Sequence, residues 1–170
     1  RVYWGDTHLH TSFSTDAGMI GNRLGPEEAY RFARGETVTS STGVRARLQR
    51  PLDFLVAADH AENLGLAPMI AEKNPDLLKL DFGKKIAQLV YDGKYGEAYT
   101  LWGEGMSTRK DPLAGQEALS RTMWERLTEA GEKFNEPGRF TALLGFEWSS
   151  SPGGNNLHRN VIFRDGKDEV

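Results

Sequence analysis

The chain begins, after Arg1, with Val2-Tyr3-Trp4-Gly5-Asp6-Thr7-His8-Leu9-His10, a mostly apolar run that ends in two histidines. The run predicts a β-strand, and on an extended strand His8 and His10 project from the same face because they are two residues apart. Two neutral imidazoles that reach one point suit zinc, iron, manganese or nickel, and one or two carboxylates would complete the site. An isolated His-x-His pair also occurs at ordinary exposed strand edges, so the metal interpretation depends on whether the pattern recurs.

A histidine or carboxylate also stands at one end of three further predicted strands. Residues 54–58 form an apolar run that ends in Asp59-His60, residues 140–146 form another that ends in Glu147, and a fourth strand runs over residues 158–163 from His158. In parallel α/β folds, sites are built where the carboxyl ends of the strands meet. Since His158 starts its strand, either that strand is antiparallel or the preceding loop folds across the site.

Helical patterns separate these strands. Pro26 and two acidic residues open a predicted helix that stops at Gly35, and residues 36–51 have the composition of a surface loop or short hairpin. Residues 63–138 are predicted to be a helical insertion between the second and third strands, forming a lid or wall. Trp102 and Trp124 are interpreted as packing residues within it. The loop over residues 149–156 is interpreted as a connecting loop.

Composition narrows the class of protein. A chain of 170 residues can form one domain or a large part of a bigger one, and the net charge of -3 gives no basic surface for nucleic acid or membrane. The sequence contains no cysteine, so a metal would be held by nitrogen and oxygen. No apolar run reaches the length of about 18 residues that a membrane span needs. The start at Arg1 and the exposed last strand lead us to expect a piece of a longer protein.

Three motifs together resemble the polymerase-and-histidinol-phosphatase (PHP) superfamily. They are Gly5-Asp6-Thr7-His8-Leu9-His10 with the following residues to Gly18, then Asp53 to His60, then Gly145-Phe146-Glu147 with His158 beyond. Within that superfamily the whole chain resembles the N-terminal part of a bacterial branch described only as a domain of unknown function. The resemblance implies a distorted seven-stranded β/α barrel, of which residues 1–170 would be the N-terminal portion of a single domain.

The resemblance also implies two or three divalent metal ions (Zn, Mn or Fe) at the carboxyl ends of the strands. His8 and His10 would bind the first ion, Glu147 would bridge the first and second, and His158 would bind the second. Asp16, which stands where some relatives have histidine, would bind the third together with His60. The family completes its site with later histidines, but no histidine follows His158 here.

Other positions are candidates for chemistry around the metals. We assign the catalytic positions to Glu147, His158 and Asp59, and expect Asp6 and Asp59 to orient imidazoles by accepting hydrogen bonds from them. Three arginines are candidates for binding a substrate phosphate: Arg159, Arg23 and Arg34.

These features predict a metal-dependent hydrolase, with a small phosphorylated molecule as substrate and two metal ions that activate water. Two alternatives remain open. The same scaffold could cleave C–N or C–O bonds, or residues 1–170 could be a truncated or degenerate domain that binds metal without turnover. In the latter case self-association, or the remainder of the protein, would complete the barrel.

Overall fold

The computed structural model describes residues 1–107, 110–150 and 155–170. Half of the predicted loop 149–156, residues 151–154, lies outside the described residues. Within the described ranges the chain is a mixed α/β structure whose strands and helices alternate along the sequence, as the sequence predicts.

A three-stranded parallel sheet carries the site. Its strands are β1 (Gly5–Leu9), β4 (Phe54–Ala57) and β5 (Thr141–Leu143), in the order β1-β4-β5. Both pairs are parallel, with Gly5 opposite Phe54 and Phe54 opposite Thr141. The carboxyl ends of all three strands therefore meet at one edge, and the first two predicted strands are confirmed with slightly shorter bounds.

The predicted third strand is wrong as one continuous element. The chain changes partner at Leu144: β5 pairs with β4, whereas β6 (Gly145–Ser150) pairs with β7 (Leu157–Ile162). Gly145 permits the change, since a Cβ there would lie 2.5 Å from the carbonyl oxygen of Val161. Glu147 consequently lies inside β6 rather than just after a strand. The β6–β7 pair is antiparallel, which decides the orientation that the sequence left open for His158.

Helices cover the sheet and extend beyond it. Their bounds are α1 (Thr15–Met19), α2 (Pro26–Ala33), α3 (Leu66–Ala71), α4 (Asp81–Tyr91), α5 (Tyr95–Ser107) and α6 (Glu117–Phe134), with a short 3-10 turn at Leu77–Lys79. The predicted helix after Pro26 is confirmed, and so is the helical character of the described residues between 63 and 138. Between α2 and β4 a small hairpin pairs β2 (Val38–Thr39) with β3 (Arg45–Ala46).

Two apolar clusters hold these elements together. In one, Tyr30 of α2 and Phe134 of α6 pack on Leu55 of the sheet. In the other, Phe13 and Met19, from the segment after β1, pack among helices α3 to α6, with Trp102 and Trp124 partly buried against them as predicted. The helical stretch thus forms a wall behind the segment that carries Asp16.

The described residues form three separate sheets and no closed barrel. Among the described strands β1 pairs with β4 alone, and four of its five residues are exposed. None of the described helices is both long enough and apolar enough to cross a membrane.

Gly18 is needed where α1 meets the wall, and its replacement by alanine tests this contact. A Cβ at Gly18 would lie 2.4 Å from the carbonyl oxygen of Ser12 and 2.6 Å from Cβ of Ala67. We expect Gly18→Ala to lower the free energy of unfolding by about 1–3 kcal/mol through overpacking, measured by urea denaturation. Gly103→Ala in α5 is the matched control, because no neighbouring atom of the described residues lies within 4 Å of a Cβ placed there. The control should be neutral or gain up to about 1 kcal/mol of helix propensity, and equal effects of the two substitutions would refute the packing argument.

Candidate metal centre

Six side chains of the ligand types predicted from the sequence lie together at the carboxyl edge of the sheet. They form three overlapping groups whose donor atoms lie within 4.8 Å of one another: His8, His10 and Glu147; His10, Asp16 and His60; and His60, Glu147 and His158. The groups share members, so the six residues form one continuous cluster. These groups could hold a metal ion, as the sequence predicts for these positions.

Glu147 is buried at the base of the cluster. Its backbone is held in place because its N–H donates to the carbonyl oxygen of Asp59 and its own carbonyl oxygen accepts from the N–H of Ala61. Its side chain is 1% exposed, and Oε2 lies 2.6 Å from Nε2 of His10 and 3.0 Å from Nε2 of His8. The other oxygen, Oε1, lies 2.5 Å from Nδ1 of His158. One carboxylate therefore touches imidazoles from two different strands, β1 and β7.

Asp16 and Ser14 hold the other side of His10. Nδ1 of His10 lies 3.2 Å from both carboxylate oxygens of Asp16, and the Ser14 hydroxyl donates to Asp16 at 2.6 Å. Asp16 also accepts a hydrogen bond from the N–H of Ala17, at the start of α1. This geometry fixes the ring of His10 between Asp16 and Glu147. Ser14 had no assigned role in the sequence, although it stands two residues before Asp16.

His60 is oriented by two residues that sequence reasoning missed. Its Nδ1 lies 3.4 Å from a carboxylate oxygen of Glu62 and 3.0 Å from the hydroxyl of Ser149. Glu62 in turn accepts a hydrogen bond from the N–H of Ser149 at 2.9 Å. The ring is thereby turned so that Nε2 faces Asp16 at 3.6 Å and Glu147 at 3.5 Å.

His158 reaches the cluster because β7 folds back along β6. His158 is opposite Ser149 and Asn160 is opposite Glu147, so His158 and Asn160 share the face of the hairpin that meets the cluster. The side-chain amide of Asn160 donates to the carbonyl oxygen of Thr7 at 2.7 Å. That bond ties the hairpin to β1, a contact for which the sequence gave no signal.

Asp59 lies beneath the cluster and does not contact an imidazole. It is fully buried, and it accepts hydrogen bonds from the backbone N–H of Thr11, at 2.5 Å, and from the Thr11 hydroxyl, at 2.7 Å. Asp6 accepts from the backbone N–H of His8 rather than from a ring. The expectation that these two carboxylates orient imidazoles is therefore wrong: Asp59 anchors the segment that follows His10 instead.

The carboxylates and the histidines of the cluster shift one another's pKa values. Burial raises the pKa of Glu147 and of Asp16. The neighbouring histidines and other hydrogen-bond partners lower each pKa by more than burial raises it, so both pKa values lie below their ordinary range. Burial lowers the pKa of His10 and His60, while Asp16 raises that of His10 and Glu62 raises that of His60, and both pKa values are raised overall. The carboxylates are thus ionised at neutral pH and attract positive charge.

The donor set fits a divalent metal ion. Among the described residues, Nε2 of His10 and Oε2 of Glu147 are buried and have no hydrogen-bond partner, although they lie 2.6 Å apart. Buried polar atoms without partners are costly, and atoms that converge without bonding one another are arranged as ligands of a shared ion would be. Imidazole nitrogen and carboxylate oxygen are ligands that zinc, manganese and iron accept.

The three predicted phosphate-binding arginines are not brought to the cluster. Arg34 lies at the opposite, amino-terminal edge of the sheet, where it donates to Glu136 at 3.0 Å. Arg23 lies over the ring of Tyr95. Arg159 is opposite Trp148 in the hairpin, and so on the face away from His158, and its guanidinium donates to the carbonyl oxygen of His158.

Comparison with known proteins identifies the family. Residues 1–170 match the family described as "Protein of unknown function (DUF3604)", so the chain belongs to that family. Comparison with curated proteins and with solved structures gave no significant match. The family description does not state a chemistry, and the function has to be argued from the cluster itself.

Replacing Asp59 by asparagine tests whether the buried carboxylate titrates. Burial raises the pKa of Asp59 from the ordinary 3.8 to about 6. A raised pKa in the folded state means that this group's stabilising contribution is complete below pH 4 and is lost as the pH rises through 6. We therefore expect the unfolding free energy of Asp59→Asn minus that of the wild type to increase by about 3 kcal/mol between pH 4 and pH 7.

The comparison needs chemical denaturation in a chelating buffer at several pH values. The histidines and other carboxylates are common to both proteins, so the difference isolates residue 59. A difference that does not change with pH would mean that Asp59 stays ionised throughout this range.

Proposed function

We propose that this chain forms the larger part of a metal-dependent phosphoester hydrolase centre. The observation that supports the proposal most strongly is Glu147, whose two buried carboxylate oxygens touch His8 and His10 on one side and His158 on the other. A carboxylate shared in this way suits two neighbouring ions, which sites that hydrolyse phosphoesters commonly use. The third group, at Asp16 and His60, provides for a third ion.

When bound, two or three divalent ions (Zn, Mn or Fe) would supply a water nucleophile at neutral pH and positive charge against the phosphoryl oxygens. The residues of the chain would hold this arrangement rigid. Glu147 would set the spacing of the ions, and Glu62 and Ser149 would fix the ring of His60. In the net reaction an oxygen from water bonds to phosphorus, the P–O bond to the alcohol breaks, and the alcohol leaves with a proton.

The site is open on the side where a substrate would approach. The side chains of His8 and His158 are 51% and 38% exposed, whereas Glu147 is buried beneath them. The resemblance to the PHP superfamily supports the same chemistry, and it implies a barrel that further strands would complete. The later histidine ligands of that superfamily would come from another part of the protein or from another chain.

Metal content of matched glutamate variants tests the metal part of the proposal. Glu147→Gln keeps the shape and the backbone pairing but removes the charge from the centre of the cluster. We expect it to lose at least one bound metal equivalent, measured by inductively coupled plasma mass spectrometry after dialysis against Mn²⁺ or Zn²⁺. Glu136→Gln is the control, because Glu136 pairs with Arg34 at the far edge of the sheet. Wild-type metal content in both variants would contradict the proposed centre.

Release of the alcohol from phosphate esters tests the hydrolase part. With phosphomonoester and phosphodiester substrates we expect metal-dependent turnover that falls at least about 10-fold in His158→Ala, because losing a ligand should cost no less than losing a partner that merely orients one. Arg34→Ala should retain activity, since Arg34 lies at the other edge of the sheet. Alcohol release that a chelator does not abolish, or that His158→Ala leaves intact, would refute the proposal.

A further inference from the structure

A cavity of about 230 Å³ lies beside His10, on the side of β1 that carries α2 and the small hairpin. His10 forms part of its wall, and Nε2 of the same residue lies 2.6 Å from Glu147, so the cavity and the cluster share His10. The wall is mostly apolar: Leu9, Leu24, Ala29, Phe32, Val38 and Ala46 contribute to it, together with Thr11, Asn22, Glu28 and Ser40.

The polar groups of this wall are already engaged within the protein. The hydroxyl of Thr11 donates to Asp59, the side-chain oxygen of Asn22 accepts from the N–H of Leu24, and the hydroxyl of Ser40 accepts from the N–H of Val44. The carboxylate of Glu28 accepts from the N–H of Gly25 at the start of α2. Each of these side chains thus makes a hydrogen bond within the protein, and the rest of the wall is mostly apolar.

The cavity and the cluster of candidate metal ligands differ in the charge that they would offer a substrate. Glu28 contributes a carboxylate to the wall, and no lysine or arginine of the described residues lines it, so an anionic group would be repelled from the cavity. A divalent ion held by the cluster would attract anions instead. A substrate with one anionic end and one apolar end would thus be oriented, with the anion at the cluster and the apolar group beside His10.

We propose that this cavity, which we call the His10 pocket, binds an uncharged apolar substituent of the substrate, so that the substrate class is alkyl or aryl phosphoesters. The proposal rests on the phosphoester hydrolase function argued above. The volume suits a group of this kind, because an apolar cavity of about 150 Å³ holds a benzene molecule. The pocket would select substrates by the size of this group.

Binding of alkylphosphonates tests the pocket without requiring turnover. Methyl-, butyl- and hexylphosphonate carry the same anionic group, and their affinities for the Mn²⁺-loaded protein can be measured by calorimetry. We expect affinity to increase about twofold to fourfold for each added methylene until the pocket is full. Hydrolysis of the corresponding alkyl phosphates should show the same trend in kcat/KM.

Two variants and a control locate the effect. Ala46 is exposed on the hairpin opposite Val38, and both line the pocket, so Ala46→Trp should fill it and reduce the chain-length effect to less than about twofold overall. Phe32→Ala should widen it and move the optimum to longer chains. Val44→Trp adds the same side chain at an exposed position of the hairpin that does not line the pocket, and it should leave the trend unchanged.

The outcomes separate this inference from the proposed function. Affinity that does not depend on chain length, or a dependence that Ala46→Trp leaves intact, overturns the pocket even if phosphate esters are hydrolysed. Chain-length-dependent binding that Ala46→Trp abolishes, together with no hydrolysis of any phosphate ester, supports the pocket and overturns the hydrolase function. Loss of the trend in Val44→Trp as well as in Ala46→Trp overturns the pocket, because the effect would then come from the hairpin as a whole.

Discussion

The backbone pairing of Glu147 with the residues after β4 is the constraint on which the centre depends. Hydrogen bonds from Glu147 to Asp59 and from Ala61 to Glu147 continue the parallel pairing beyond the end of β4. They place a buried carboxylate beside His60 and across from the histidines of β1. The same strand carries the hairpin that returns His158, so a shift of one residue in this pairing would turn Glu147 to the other face and separate the histidines of β1 and β7.

Much of the site could be predicted from the sequence because its ligands stand next to apolar runs. His8 and His10 are two residues apart at the end of β1, and His60 stands three residues after the last residue of β4. The parallel sheet brings these ends to one edge, which is a general property of such sheets. Asp16 has no comparable local signal, and its assignment depended on the resemblance to the PHP superfamily.

The rest depended on tertiary contacts that leave no local pattern. The break at Leu144 could not be predicted, because the apolar run continues through it and only the approach of Val161 to Gly145 requires the change of partner. Ser149 becomes a partner of His60 across 89 residues of sequence and of Glu62 across 87. Arg34 was a reasonable candidate by charge, but the position of α2 places it at the opposite edge of the sheet.

A crystal structure of the protein equilibrated with Mn²⁺, with anomalous diffraction recorded at the manganese edge, tests the central claim most directly. We expect an anomalous peak within bonding distance of Nε2 of His10 and Oε2 of Glu147, two buried atoms that have no hydrogen-bond partner among the described residues. A second peak is expected between Glu147 and His158. Full density for the six side chains with no anomalous peak among them, and with His10 hydrogen-bonded directly to Glu147, would contradict a metal site at this cluster.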